Sequence, residues 1–236
     1  MAGVAENGEI DPLIGFPEVR AILWQNGGII DLGTLPEGGY ESVANAVDSR
    51  GQVAGIALNT VPDAYSMVGL GYQTRAFLWQ NGVMQDLGTL GGPDAMANTI
   101  NERGQIVGVF YTSSTPTQAE PCVLSGFGLT TGAFLWENGK MVNLGSLGGT
   151  CTLATFAPNG LGQIVGEGSL AGDQAASAFL WEPVQFASWE DRLADISQGP
   201  VQSTIGGKLS ALAFFPETLQ LMRLSGRRRG ASLTSE

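Results

Sequence analysis

Carboxylates are the side chains of this sequence whose chemistry could support catalysis. The 236 residues include 22 aspartates and glutamates, two cysteines and no histidine. The absence of histidine excludes Ser-His-Asp and Cys-His nucleophile systems and His-ligated zinc. Glycoside hydrolysis remains open because it needs only two acids facing each other across a cleft. The acids between the repeated motifs have no spacing that pairs them, and we expect solvated loop charges and no catalytic residue: Asp63, Asp94, Glu120, Glu167 and Asp173.

A second set of polar residues precedes a repeated Leu-Gly-Thr/Ser-Leu motif. Asp31, Asp86 and Asn143 occupy this position, one in each repeat. A metal site would need several such oxygens converging on one ion. Because they are spread along the chain, we predict instead that each side chain accepts a backbone N–H of the following turn. No metal and no other cofactor is expected.

Four tryptophans end the repeated Ala-x-Leu-Trp motif, namely Trp24, Trp79, Trp136 and Trp181. One interpretation stacks their rings on sugars or bases. The other places them in the core between neighbouring repeats, since a packing solution is needed in every unit and a binding site usually only once. We therefore predict that all four are structural and largely buried.

The elements that hold these residues are predicted to be β-hairpins. The motif AILWQNGGIIDLGTL at 21–35 returns as AFLWQNGVMQDLGTLGG at 76–92 and AFLWENGKMVNLGSLGG at 133–149. Asn-Gly between two apolar runs favours a type I′ turn, which requires positive φ at both residues. A two-residue loop fixes the register, which pairs each tryptophan with the residue five positions later.

A second signature follows each hairpin. It reads NAVDSRGQVAG at 45–55, NTINERGQIVG at 98–108 and FAPNGLGQIVG at 156–166. Asp or Asn followed three residues later by Gly indicates a turn closed by a left-handed glycine. Each repeat is thus predicted to supply four antiparallel strands, within units at 21–58, 76–112 and 133–170.

The spacing of the repeats predicts the architecture. The four tryptophans lie 55, 57 and 45 residues apart, a period typical of propeller blades. We predict an all-β, β-propeller-like array of four-stranded antiparallel units, with three clear repeats and a degenerate fourth. Residues 1–20 are expected to be an acidic lead-in without a regular element, 21–215 the repeat domain, and 216–236 a basic, disordered tail.

These motifs resemble the HAF repeat family of bacterial extracellular proteins, whose units read roughly His-Ala-Phe-Leu-Trp, Asn-Gly, Asp-Leu-Gly-Thr-Leu-Gly-Gly and Gly-Gln-Val-Val-Gly. The match covers about residues 21–182. The family's histidine is replaced by Arg20, Arg75, Gly132 and Ser177. The resemblance implies a propeller-like protein that is secreted or surface-exposed, and it brings no established enzymatic activity. Residues 1–11 do not read as a signal peptide, and no apolar run approaches the ~20 residues of a membrane span.

For function, the loops are the most informative part of the sequence. Four strands per unit return the chain to its starting end, so the connectors 59–75 and 113–132 should lie beside the Gly-rich loops at 33–39, 88–94 and 145–151. We expect a non-enzymatic binding or structural module that meets a protein or glycan through this face. The candidate residues are Asp63, Tyr65, Tyr72, Arg75, Asp94, Glu120 and Asp173.

Other functions stay open or are disfavoured. A carbohydrate-active or other hydrolytic propeller that uses acidic loop residues is the alternative, and a truncated or decayed gene product is a third. The net charge of −11 disfavours a nucleic-acid partner. The sequence gives no indication of an oligomeric state.

The two cysteines are predicted to form a disulfide. Cys122 precedes the first strand of the third hairpin and Cys151 follows its second strand. Because the first strand begins where the second one ends, both loops leave from the same edge of the hairpin, within reach of the ~5.5–6 Å Cα separation that a disulfide prefers. The extracellular location implied by the family resemblance would preserve the bond.

Overall fold

The computed structural model describes residues 1–115 and 129–183 and the backbone of 207–212. This part of the chain is all-β and contains no helix. It forms fifteen strands: β1 (Ala2–Ile10), β2 (Pro17–Gln25), β3 (Gly28–Asp31), β4 (Ser42–Val47), β5 (Val53–Pro62), β6 (Tyr72–Gln80), β7 (Val83–Asp86), β8 (Ala95–Ile100), β9 (Ile106–Tyr111), β10 (Thr131–Glu137), β11 (Lys140–Asn143), β12 (Gly148–Leu153), β13 (Ile164–Leu170), β14 (Ala176–Pro183) and β15 (Gly207–Leu212).

The Asn-Gly hairpins form as predicted. Asn26, Asn81 and Asn138 have φ of 53°, 52° and 51°, and the glycine after each is also at positive φ. The strands on either side pair in the expected register, with each tryptophan opposite the residue five positions later. Local sequence therefore determines these turns, because few residues other than Asn and Gly tolerate this conformation.

The strands assemble into four antiparallel sheets. The first sheet contains β1-β2-β3, the second β4-β5-β6-β7, the third β8-β9-β10-β11 and the fourth β12-β13-β14-β15. A single parallel pair, Thr131 of β10 with Cys151 of β12, links the third and fourth sheets. The all-β class and the antiparallel pairing are confirmed. The described strands form no closed ring, so a propeller is not shown.

The predicted division of the repeats into units is wrong by half a repeat. The second, third and fourth sheets each join the Asp/Asn-turn hairpin of one repeat to the tryptophan hairpin of the next, since β5 pairs with β6, β9 with β10 and β13 with β14. The Gly-rich loops carry the chain from sheet to sheet, and the connectors stay within a sheet. Which hairpins pair is decided by contacts between distant parts of the chain, and no local motif predicts it.

Residues 1–20 also differ from the expectation. They contain β1, which pairs with β2 over most of its length, where no regular element was predicted. Pro12 lies in the turn between the two strands, and Pro17 is the first residue of β2. Proline is tolerated at both places, because neither requires an N–H inside a central strand.

Alternation along the tryptophan strands explains how the sheets stack. In β6, Ala76 and Leu78 face the third sheet, whereas Phe77 and Trp79 face the first. The same division recurs between the third and fourth sheets, where Ala and Leu of β10 pack against Phe and Trp of β14. Because side chains alternate across a strand, one four-residue motif supplies both faces of every sheet.

The burial of the tryptophans follows from this stacking. Trp79, Trp136 and Trp181 are 9%, 7% and 2% exposed, as the core interpretation predicted, but Trp24 is 54% exposed. The prediction is wrong for Trp24, because its ring faces away from the second sheet and no described sheet precedes the first one. Equivalent sequence positions therefore have different environments at the end of the stack.

Candidate functional site

The first connector and the Gly-rich loop at 88–94 meet at one end of the sheets, which we call the connector end. Its described part contains the turn between β5 and β6, the loop between β7 and β8, and the β13–β14 turn: 63–71, 87–94 and 171–175. The connector and the loop touch directly, because the backbone amides of Met67 and Thr74 both donate to the Asp94 carboxylate. The predicted meeting of these segments is confirmed for the first connector. Residues 116–128 of the second connector lie outside the described part.

Asp94 is the central polar residue of this end. Its side chain is fully buried, and burial raises its pKa to about 6. The Met67 and Thr74 amides lower the pKa of Asp94, and the charge and hydrogen bond of Asp63 raise it further. Burial is the largest of these effects, so the pKa is raised overall. With both oxygens bound to backbone amides, Asp94 ties the connector of one sheet to the first strand of the next.

Glu41 occupies the matching place between the first and second sheets. One of its oxygens accepts the amide of Val19 at 2.9 Å, and burial raises the pKa of its carboxyl, with the charges of Asp11 and Glu18 acting in the same direction. Sequence reasoning missed this residue. The signal was present, since Glu41 and Asp94 each directly precede the first strand of a four-stranded sheet.

The remaining candidate acids and arginine are held by local contacts. Asp63 accepts the amide of Tyr65 at 2.8 Å. Arg75 forms an ion pair with Asp86 at 2.8 Å and donates to the Pro93 carbonyl. These bonds fix the backbone of the connector end, although the second carboxylate oxygen of Asp63 is buried without a hydrogen-bond partner among the described residues.

The other predicted binding residues differ in where the structure places them. Asp173 accepts hydrogen bonds from the Ser169 hydroxyl and from the Thr150 amide, which lower the pKa of its carboxyl. Tyr65 and Tyr72 lie at the surface of the connector and at the start of β6, and neither lines the groove described below. Glu120 lies outside the described residues.

The polar residues before the Leu-Gly motif act as predicted. Asp31, Asp86 and Asn143 each accept the amide of the glycine two residues later at 2.8 Å. Their oxygens are therefore used in turns. Among the described residues, no group of three or more acids and cysteines is placed to hold a metal ion.

A groove of ≈ 210 Å³ opens between the third and fourth sheets at the connector end. Sequence reasoning missed it, because its residues alternate with core residues along strands of different repeats: Met67, Met96, Asn98, Val109, Tyr111, Thr131, Leu153 and Thr155. In β8, for example, Ala95 and Ala97 face the second sheet, whereas Met96 and Asn98 face the groove. Only the stacking of sheets brings the set together.

Tyr111 is one of four polar residues that line the groove, with Asn98, Thr131 and Thr155. The residue is buried, and its hydroxyl has no hydrogen-bond partner among the described residues. Burial raises the pKa of Tyr111 to about 12, with the carboxylates of Asp94 and Asp63 adding to the effect. The phenol is therefore neutral at physiological pH, and its buried O–H has no acceptor among the described residues. A buried group of this kind is costly unless a partner satisfies it.

The Cys151 sulfur is engaged in a disulfide bond and accepts a contact from the Thr131 hydroxyl at 3.6 Å. Cys122 lies outside the described residues, so the pairing of the two cysteines stays a prediction. No helix in the described part of the chain is long and apolar enough to cross a membrane.

Comparison with protein-family models, with curated proteins and with solved structures found no match. The resemblance to HAF repeats thus stays an expectation from the motifs, and function has to be inferred from the geometry of the chain.

Proposed function

We propose that this protein is a non-enzymatic binding module that holds an apolar side chain of a protein partner in the groove at its connector end. The observation behind the proposal is a largely apolar groove lined by buried Tyr111, whose hydroxyl has no hydrogen-bond partner among the described residues. A few polar groups in an otherwise apolar concavity are typical of binding sites.

The size of the groove favours one side chain over a larger ligand. Its volume of ≈ 210 Å³ is below the roughly 300–1,000 Å³ of most small-molecule pockets. Met67, Met96 and Leu153 supply contact surface, and methionine adapts readily to different shapes. Tyr111 adds further contact surface to the lining of the groove.

The hydrolytic alternative has less support at the same end. Asp94 and Asp63 are neighbours, but Asp94 is buried and both of its oxygens accept backbone amides. Glycosidase carboxylates must instead reach the substrate across a gap of roughly 5–9.5 Å. The surroundings of Asp94 favour a structural role.

We also propose an extracellular or cell-surface location. Two observations support it, namely the resemblance of the repeats to those of extracellular proteins and the disulfide bond at Cys151. Disulfides persist mainly in oxidising compartments.

NMR of the methionine methyl groups tests the binding proposal. N-acetyl-L-leucinamide serves as the probe, with a Kd on the order of 1–10 mM expected for so small a ligand. Met67 and Met96 line the groove, whereas Met84 is buried between the first and second sheets. The methyl signals of the first two should shift on titration and that of Met84 should not.

Two variants make the test specific. Thr155→Trp fills the groove from an exposed position and should abolish the shifts, whereas Val83→Trp, at an exposed hairpin of the second sheet, should preserve them. Equal shifts in both variants, or none in the wild type, would contradict the proposal. Turnover of nitrophenyl glycosides that is lost in Asp94→Asn would establish the hydrolytic alternative instead.

A further inference from the structure

No described sheet covers either of the two outer faces of the stack. The leading face belongs to the first sheet and contains Ile22, Trp24 and Ile29. The trailing face belongs to the fourth sheet and contains Val165, Ala178 and Leu180. None of the buried clusters formed by the described residues includes any of these side chains.

Comparison with equivalent positions shows how unusual this exposure is for the repeat. Ile29, on the leading face, is 60% exposed, whereas Met84 at the same hairpin position is buried between two sheets. Val165, on the trailing face, is 45% exposed, whereas its equivalent Val107 is fully buried. Large exposed apolar patches of this kind mark interaction surfaces.

The interior of the protein indicates what fits these faces. Three times along the chain, an Ala and Leu face of one sheet packs against a Phe and Trp face of the next. The trailing face is of the first type, with Ala178 and Leu180. The leading face is of the second type, with Ile22 and Trp24. Each outer face therefore complements the other and does not complement itself.

From this match we propose that the chain associates head to tail with a second copy of itself, the trailing face of one copy packing on the leading face of the other. The contact would repeat the interface that already joins neighbouring sheets within the chain. A heterologous contact of this kind closes into a ring when the rotation permits and otherwise extends. The described residues of two copies together form eight sheets, within the range of about four to eight blades found in propellers, so a closed dimer is the expected assembly.

Sedimentation velocity over a range of protein concentrations tests the proposal, at ~0.15 M salt to screen the net charge of −11. Trp24→Arg disables the leading face and Val165→Arg the trailing face. Each should weaken self-association at least about 30-fold, the loss typical of a central hot-spot residue. Val83→Arg places the same charge at an exposed apolar residue of the second sheet and should leave association unchanged.

Mixing the two disabled variants identifies the geometry. Trp24→Arg retains an intact trailing face and Val165→Arg an intact leading face, so the mixture should recover dimers held by a single contact. Dimers that survive in Val165→Arg alone would indicate that two leading faces meet, which overturns the head-to-tail arrangement. Circular dichroism confirms folding of each variant, and Ile29→Arg is a second leading-face variant if Trp24→Arg does not fold.

A wild-type protein that stays monomeric up to about 100 μM, roughly the weak limit of specific association, would also overturn the proposal. The proposal is also overturned if residues outside the described part of the chain cover one of the outer faces. In that case the wild type is a monomer, and the arginine substitutions destabilise it.

Discussion

The stacking of the sheets predicts that two tryptophans in the same motif contribute very differently to stability. Trp136 is 7% exposed and packs in the core between the second and third sheets, whereas Trp24 is 54% exposed on the leading face. Replacing a buried large aromatic residue with alanine costs about 3–5 kcal/mol, because burial is lost and a cavity remains. We expect Trp136→Ala to lower the free energy of unfolding by this amount.

The expected loss for Trp24→Ala is much smaller. Full burial of a large apolar side chain is worth about 1.5–3 kcal/mol, and half of it about 1 kcal/mol. No cavity forms at an exposed face. The two variants should therefore differ by about 2–4 kcal/mol, which at an m-value of ~3 kcal/mol/M separates their urea midpoints by roughly 1 M.

Urea unfolding followed by far-UV circular dichroism provides the measurement, at a protein concentration low enough to avoid self-association. Trp136→Phe keeps part of the packing and serves if Trp136→Ala does not fold. Equal losses at Trp24 and Trp136 would refute the assignment of core and outer faces, as would a loss below about 1 kcal/mol for Trp136→Ala.

Three further predictions concern a glycine, a buried acid and the cysteines. Gly108→Ala should cost at least about 3 kcal/mol, because its Cβ would lie 2.0 Å from a backbone carbonyl oxygen of β8. The control Gly28→Ala, whose closest contact is 3.7 Å, should change little in the same urea assay. Burial raises the folded-state pKa of Asp94 to about 6, above its unfolded value of ~3.9. The contribution of Asp94 to the free energy of unfolding is therefore most favourable below pH ~4 and is lost as the pH rises to 6. The stability of the wild type relative to Asp94→Asn should therefore fall by up to about 3 kcal/mol over this range in unfolding at several pH values, and a constant difference would contradict the raised pKa. Mass spectrometry of the non-reduced protein should find Cys122 linked to Cys151, and two alkylatable thiols would exclude the bond.

Short-range features could be predicted from the sequence because they depend on the conformational preferences of single residues. Asn81 and Gly82 adopt the positive φ that a type I′ turn needs. The register then follows from a two-residue loop, and the oxygen of Asp86 accepts the amide of Gly88 two residues away. In each case both partners lie within one motif, so no distant part of the chain decides the outcome.

The groove could not be predicted in the same way. Tyr111 and Leu153 come from different repeats and meet only because the third and fourth sheets stack. The raised pKa of Asp94 likewise depends on burial beneath a connector whose closest residues are 20 and 27 positions away. Such properties depend on the exclusion of solvent by distant segments of the chain, which cannot be predicted from a single motif.

By itself the sequence determined the all-β class, the tryptophan hairpins, their register and the turn contacts of the repeated acids, since these follow from local backbone energetics and from alternation along a strand. Tertiary structure alone decided which hairpins share a sheet and which faces are covered. Trp24 and Trp79 occupy the same motif position, yet one is exposed and the other buried. The physical reason is that the burial of a side chain depends on the position of its sheet in the stack, because apolar area is removed from water only where a neighbouring sheet covers it.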